Sequence, residues 1–427
     1  MGNRPDRAAS PRWRRHLAIA AGCAAIGVVA RIAGPTLPAP VAFVALATGL
    51  IGVSFILGWA ADAGEAVFSG GLVLTAVALV TVLPEFIIEV HFAFAQQPEL
   101  VTANLTGATR LLLTAATALP IVVYFRDNRG SSRTAPIQLP ETRRSDLGIL
   151  LITAVLAIQI TARGSVTIFD GAALLGLYVL YTRRVRGSGH EQPAVVGVAA
   201  GLVSLPSQQC RLVISILLLA AAAVTAFIAE PFATALLSTG AQLGISPYLL
   251  IQTIVPLAAE VPEVVIVALL VANRRPAQGL ALLLASSVGQ WTLAFGFLPF
   301  AYLAGGGGIS LPLAGREQLE LGLTTAFTFF AVAALCTLRP KRVDALLIAS
   351  VFAVQQLYPT PIVRLAAAVV LSVFAIDILA SRRRLIRPMF AAALSRHSGA
   401  DRDRRPQPVP VGRGSSRATR PKRRPVR

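Results

Sequence analysis

Apolar runs of membrane-spanning length recur from Leu17 to Leu379, separated by short polar or basic loops. Crossing the hydrocarbon core takes about 20 apolar residues in a helix. On that spacing the chain predicts helices over 17–33, 41–60, 67–96, 99–125, 147–162, 166–182, 212–238, 247–272, 277–303, 318–337, 343–358 and 362–380. A transmembrane barrel needs short segments of alternating polarity, and these are absent. The fold class read from the pattern is an all-α polytopic membrane protein of about 12 transmembrane helices.

An even number of spans puts both termini on one side, and the distribution of basic residues tests the arrangement. Basic groups lie in the N-terminal tail, at Arg126, Arg129, Arg133, Arg143 and Arg144, and at Arg183, Arg184 and Arg186. They recur at Arg274 and Arg275, at Arg339, Lys341 and Arg342, and in the C-terminal tail. All fall on the cytoplasmic side when the N-terminus is inside. The opposite loops, such as Gln96–Glu99 and Ala304–Gly308, carry almost no positive charge.

Within that topology two similar stretches run in opposite directions. One reads Leu79-Val-Thr-Val-Leu-Pro-Glu85-Phe-Ile-Ile-Glu89; the other reads Ile254-Val-Pro-Leu-Ala-Ala-Glu260-Val-Pro-Glu263. Similar segments in antiparallel orientation are the mark of an inverted repeat. The expected division is two five-helix repeats, 41–182 and 212–358, with an extra helix at each end (17–40 and 359–380). A basic tail covers 1–16, a cytoplasmic linker 183–211 and a disordered basic tail 381–427. Pro84 and Pro262 each remove a backbone hydrogen bond and are expected to break their helices, freeing carbonyls at the repeat interface.

Composition fits a membrane body: 55% of the residues are hydrophobic and 14% charged, against about a quarter charged in soluble domains. The net charge of +19 resides mostly in the tails. Residues 1–16 hold five Arg against one Asp, and residues 381–427 hold fourteen Arg and one Lys against two Asp. These tails suit anionic lipid surfaces. No specific nucleic-acid partner is expected, because no aromatic residues interleave the Arg. Cys23, Cys210 and Cys336 have neither metal nor disulfide spacing. The basic segment before the first apolar run suits a signal peptide, but no small-residue cleavage site closes it, so a retained helix is expected. Nothing resembles His-Glu-x-x-His, Gly-x-Ser-x-Gly or a nucleotide loop, so neither an enzyme nor a cofactor is expected. Cell-membrane localisation follows from composition, and oligomeric state is left open.

An intramembrane carboxylate is costly unless paired, protonated or bound to a cation, so Glu85, Glu89, Glu260 and Glu263 are candidate site residues. Glu89 shares a helix face with Glu85, as Glu260 does with Glu263. Glu89 is read either as a site member or as a residue of the outer mouth beside His91. Arg110 lies about 16 Å into its span by helical rise. It is read either as a fixed cation paired with Glu85 or Glu89, or as lining a polar vestibule.

The stretch Leu243–Glu263 resembles the second signature repeat of the calcium:cation antiporter superfamily, which includes sodium/calcium exchangers. Thr81-Val-Leu-Pro-Glu85 resembles the first repeat, and Phe169–Tyr181 resembles the helix closing the first half. The resemblance covers both repeats and implies a divergent member in which Glu85 and Glu263 bind the metal near the membrane centre. It adds Thr81, with Ser286, Ser287 and Gln290 from the partner helix of the second repeat. Ser286 lies 23 residues after Glu263; the same spacing from Glu85 reaches Ala108, followed by Thr109 and Leu112, so the first repeat has lost ligand oxygens. A slipped register brings in Asn104 or Thr106 instead. The implied function is secondary antiport of Ca²⁺, or a related cation, against Na⁺ or H⁺. The spans 41–60 and 212–238 are the moving elements by position in the family. The alternative is a transport-inactive scaffold or sensor, supported by Arg110 and the lost ligands.

Overall fold

The computed structural model describes residues 12–68, 83–127, 137–187 and 195–394. The first half comprises α1 (Trp13–Ala33), α2 (Ala39–Val67), α3 (Leu83–Phe94), α4 (Pro98–Asp127), α5 (Arg144–Arg163) and α6 (Ile168–Gly187). A short helix α7 (Gly197–Val203) leads into the second half: α8 (Ser207–Gln242), α9 (Pro247–Ala272), α10 (Pro276–Gly289), α11 (Phe295–Ala304), α12 (Gly315–Leu335) and α13 (Arg342–Leu357). The last two helices are α14 (Pro361–Ser381) and α15 (Ile386–Leu394).

Among the described residues nine helical stretches are long and apolar enough to cross a membrane. Three expected spans fall outside that set for identifiable reasons. α3 is described only from Leu83, α6 carries Asp170 and a terminal run of Arg, and α13 has 16 residues. Two short helices occupy stretches the sequence assigned to a linker and a disordered tail. α7 lies in the former, where Trp13 packs onto Gly201. α15 begins in the latter and buries Met389 and Ala393 against Gly148 of α5.

Hydrogen bonds between loops define two faces. On one, Gln96 Nε2 donates to the carbonyl of Tyr302 at 2.7 Å, and β1 (Ser165–Thr167) pairs antiparallel with β2 (Ser310–Pro312). On the other, Leu139 N–H donates to Leu338 O at 2.8 Å, and Arg184 Nη1 to Ala392 O at 3.1 Å. The second face carries the basic loops. The N-termini of α4, α9, α12 and α14 gather at the first face, which we call the neutral face.

The two halves interlock reciprocally. The long helices α2 and α8 lie against one another; α3 packs on α8, and α9 packs on α2. Small residues set the closest crossings, as expected where lipid leaves close packing to hold helices together. A Cβ on Gly27 of α1 would sit 2.7 Å from Gly49 Cα of α2.

The central crossing is that of α4 and α9. A Cβ on Gly107 would fall 2.0 Å from the carbonyl oxygen of Gln252. Pro256 cannot donate to that carbonyl, so the α4 backbone fits against it with nothing in between. Gly107→Ala is expected to force the helices apart at a cost of about 1–3 kcal/mol. A lowered unfolding midpoint in detergent, compared with Gly176→Ala at an open position, is the measurement that checks it.

The expected helix break at Pro262 needs correction. α9 runs unbroken through Pro256 and Pro262, because neighbouring packing holds the helix while each proline frees one carbonyl. The break expected at Pro84 falls where the described residues begin, at Leu83, and what precedes it lies outside them. The irregular turn instead falls at Gln290–Ala294, a π-helical segment between α10 and α11. Such segments interrupt regular helices and often lie at functional positions.

Candidate functional site

α3 and α9 bring their acidic residues together in the protein interior. Glu85, Glu89 and Glu260 are buried, while Glu263 is half-buried. The carboxyl groups of Glu85 and Glu260 lie in hydrogen-bonding contact. Glu263 stands close enough to Glu85 for direct electrostatic influence, and the Ser286 hydroxyl hydrogen-bonds to Glu263. Two carboxyl groups in contact do not remain side by side as bare anions; they share a proton or hold a cation.

Glu89 belongs to the same buried cluster and not to a water-facing mouth. Its Oε1 accepts from Asn104 Nδ2 at 3.2 Å and from Gln290 Nε2 at 2.9 Å. Asn104 Nδ2 also approaches the Glu85 carbonyl at 3.5 Å. Of the two first-repeat registers left open by the sequence, the one through Asn104 meets the glutamates. Thr106 turns to another network, described below.

The remaining candidates divide. Ser287 donates to Leu283 O at 2.8 Å and Thr109 to Leu105 O at 2.7 Å, each turned back onto its own helix. Thr81 lies outside the described residues. Among the described residues, no group of three or more His, Cys, Asp and Glu side chains is placed to hold a metal. A cation here therefore takes part of its shell from amides, hydroxyls and carbonyls, the oxygens that Ca²⁺ accepts alongside carboxylates. Glu85 Oε2, Glu89 Oε2 and Glu263 Oε2 are buried without a hydrogen-bond partner, which suits such coordination.

Arg110 corrects the fixed-cation expectation. Its Nη2 pairs with Glu320 Oε2 at 2.7 Å, and its Nη1 donates to Gln355 Oε1 at 3.2 Å. Its Nε donates to Thr106 O at 3.0 Å. Arg364 of α14 pairs with the other oxygen of Glu320 and donates to Gln252 Oε1 at 3.1 Å. Gln252 Nε2 closes the ring on Glu320 Oε2 at 3.0 Å and on Thr106 Oγ1 at 3.2 Å. Gln252, Glu320 and Arg364 lie in the first two turns of α9, α12 and α14, and Gln355 lies in the last turn of α13. Arg110 thus reaches the neutral-face end of the bundle, away from Glu85 and Glu89. Glu320 and Arg364 did not enter the sequence reading, although charged residues inside apolar runs were the available signal.

Asp62, too, escaped the sequence reading, as did Glu65. Ending the second span at residue 60 left it in a loop, whereas α2 continues to Val67. Asp62 is half-buried and within electrostatic reach of Glu65 and Glu263. The acidic side chains therefore form a path from Glu65, which is exposed near Arg143 on the basic face, through Asp62 and Glu263 to Glu260, Glu85 and Glu89.

Paired half-repeats whose buried glutamates meet at their interface define a class of membrane ion exchangers. The model of the sodium/calcium exchanger protein family matches residues 38–185 and 213–381, and the chain belongs to that family. It is similar to the crystal structure of the H⁺/Ca²⁺ exchanger CAX, with 28% identity and a TM-score of 0.83, covering 90% of this chain and 98% of that one. The structure of native YfkE shares the fold at 15% identity and a TM-score of 0.60, covering 84% of this chain and 99% of that one. No curated protein matches the chain. The all-α polytopic fold with inverted repeats expected from the sequence is the fold found.

Proposed function

We propose that the chain is a secondary active antiporter that exchanges Ca²⁺, or a related hard cation, for H⁺ by alternating access. Contact between the Glu85 and Glu260 carboxyl groups, with Glu263 beside them, carries the reading. Such a cluster exchanges a divalent cation for protons at the same oxygens: entry of the cation expels the protons, and protonation releases the cation. The CAX likeness supports the same pair of ions. Na⁺ is the less favoured counter-ion, because the first repeat offers Ala108 and Leu112 where the resembled pattern carries polar ligands.

Glu85, Glu263, Glu260 and Ser286 form the central transport site in this reading, together with Thr81; Gln290 borders it through Glu89, and Ser287 and Thr109 contribute in other conformations. The repeats span 41–182 and 212–358, and α2 and α8 are the elements that slide across the site. The basic face is cytoplasmic in a cell membrane, with both termini on that side, where their Arg-rich tails meet anionic lipid. The scaffold alternative loses one of its supports, since Arg110 is paired with Glu320 and leaves the glutamates free for ions.

Purified protein in vesicles separates these readings. Under an imposed pH gradient, Ca²⁺ uptake is expected, with release of internal protons, and a Na⁺ gradient alone is expected to drive none. Uptake with Na⁺ only would replace H⁺ as the counter-ion. Absence of flux for every cation under both gradients would establish the scaffold reading.

A further inference from the structure

We propose that Glu89, Asn104 and Gln290 form a second cation subsite, one helical turn toward the neutral face from the Glu85–Glu263 centre. The inference rests on the exchanger reading and adds a separate stopping point for the transported cation. All three side chains are buried with 0% exposure. Both amide groups direct their N–H donors at the same atom, Glu89 Oε1, at 3.2 and 2.9 Å.

That arrangement fixes the orientation of both amides. With Glu89 ionised, as cation binding requires, turning either one would aim an amide oxygen at a carboxylate oxygen, acceptor against acceptor. Donation from both sides leaves Asn104 Oδ1, Gln290 Oε1 and Glu89 Oε2 as buried acceptors without hydrogen-bond partners, beside the equally unpartnered Glu85 Oε2. An orphaned buried acceptor costs about 1–3 kcal/mol, and three within one trio need a common partner. No donor in the described structure serves them. A dehydrated hard cation does, since such ions take carboxylate and amide oxygens together.

The sequence explains why the subsite is here. Repeat one has Leu112 where repeat two has Gln290, counted at equal distance from Glu85 and Glu263. The resembled pattern has a polar ligand at both places. This chain instead carries Glu89 one turn beyond Glu85 and Asn104 in the early turns of α4. Repeat-one oxygens are thereby displaced toward the neutral face, where they meet Gln290 at the π-helical turn of repeat two. Occupation alternates between the two subsites, because two divalent ions one helical turn apart repel strongly in a poorly screened interior.

Binding of Ca²⁺ alone to purified full-length protein tests the subsite independently of flux. Glu263→Gln disables the central site, and weaker Ca²⁺ binding, with affinity reduced about tenfold or more, is expected to remain. Adding Glu89→Gln or Asn104→Leu is expected to abolish that residual binding with little change in unfolding midpoint. As a second measurement, Gln290→Leu in the otherwise native chain is expected to raise the Ca²⁺ concentration for half-maximal flux at least threefold. Residual binding that survives both additions, or no residual binding in folded Glu263→Gln, would overturn the subsite. A wild-type chain that binds Ca²⁺ at both places yet supports no flux would overturn the exchanger reading and leave the subsite standing.

Discussion

Glu320→Gln is expected to destabilise the protein more than any other single substitution in the neutral-face network. Glu320 is bonded by two buried guanidinium groups, Arg110 and Arg364. Replacing it strands both cations among apolar helices, and breaking a buried pair in this way costs about 3–5 kcal/mol. Arg364→Met is the informative contrast. It leaves Arg110 and Glu320 as a neutral pair, with Gln252 and Thr106 still in place, so a smaller loss is expected. Unfolding midpoints in detergent should rank wild type above Arg364→Met and Arg364→Met above Glu320→Gln. The reverse order would mean that Arg364, and not the carboxylate, organises the network.

The location of this network also divides the molecule. Its members come from α4, α9, α12, α13 and α14, while α1, α2 and α8 contribute none. α14, expected to be an addition outside the repeats, therefore bonds directly to helices that carry the candidate site. α2 and α8 pack together across the interface through small and apolar residues. A charged, closed ring holds one group of helices together, and the proposed alternating access assigns the sliding to the other group, which lacks such a ring among the described residues.

Much of this was legible in the residues. Run lengths gave the spans and their alternation. Intramembrane cost picked out Glu85, Glu89, Glu260 and Glu263, all of which meet in the structure. Pairing between spans was not legible, because periodicity reports which face of a helix is special without naming its partner. Arg110 stood within plausible reach of Glu85 by sequence position, yet Glu320 lies 210 residues later and binds it. Helix ends were also hidden. α2 runs seven residues past its expected end because Asp62 and Glu65 lower the local hydropathy, and that extension carries Asp62 to the site. Proline suggested a break in α9 that packing suppresses, while the π-helical turn at Gln290 carries no composition signal.

The second large effect is expected on flux with folding intact. Glu85→Gln and Glu263→Gln each remove one negative charge from the pocket while keeping its shape. Neither should lower the unfolding midpoint by much, since each removes a desolvated carboxylate whose Oε2 is buried without a hydrogen-bond partner and which has no guanidinium partner among the described residues. Proton-driven Ca²⁺ uptake should fall at least 100-fold in both, about 2.7 kcal/mol of lost stabilisation at the conversion of about 1.4 kcal/mol per decade. Glu260→Gln separates charge from hydrogen bonding, because its amide still donates to Glu85 but cannot release a proton. Ca²⁺ binding should survive in Glu260→Gln while the coupling to pH weakens, so that uptake loses its steep dependence on the imposed gradient. Equal loss of binding in all three variants would place Glu260 among the direct ligands; unchanged coupling in Glu260→Gln would assign the exchanged protons to Glu85 and Glu263 alone.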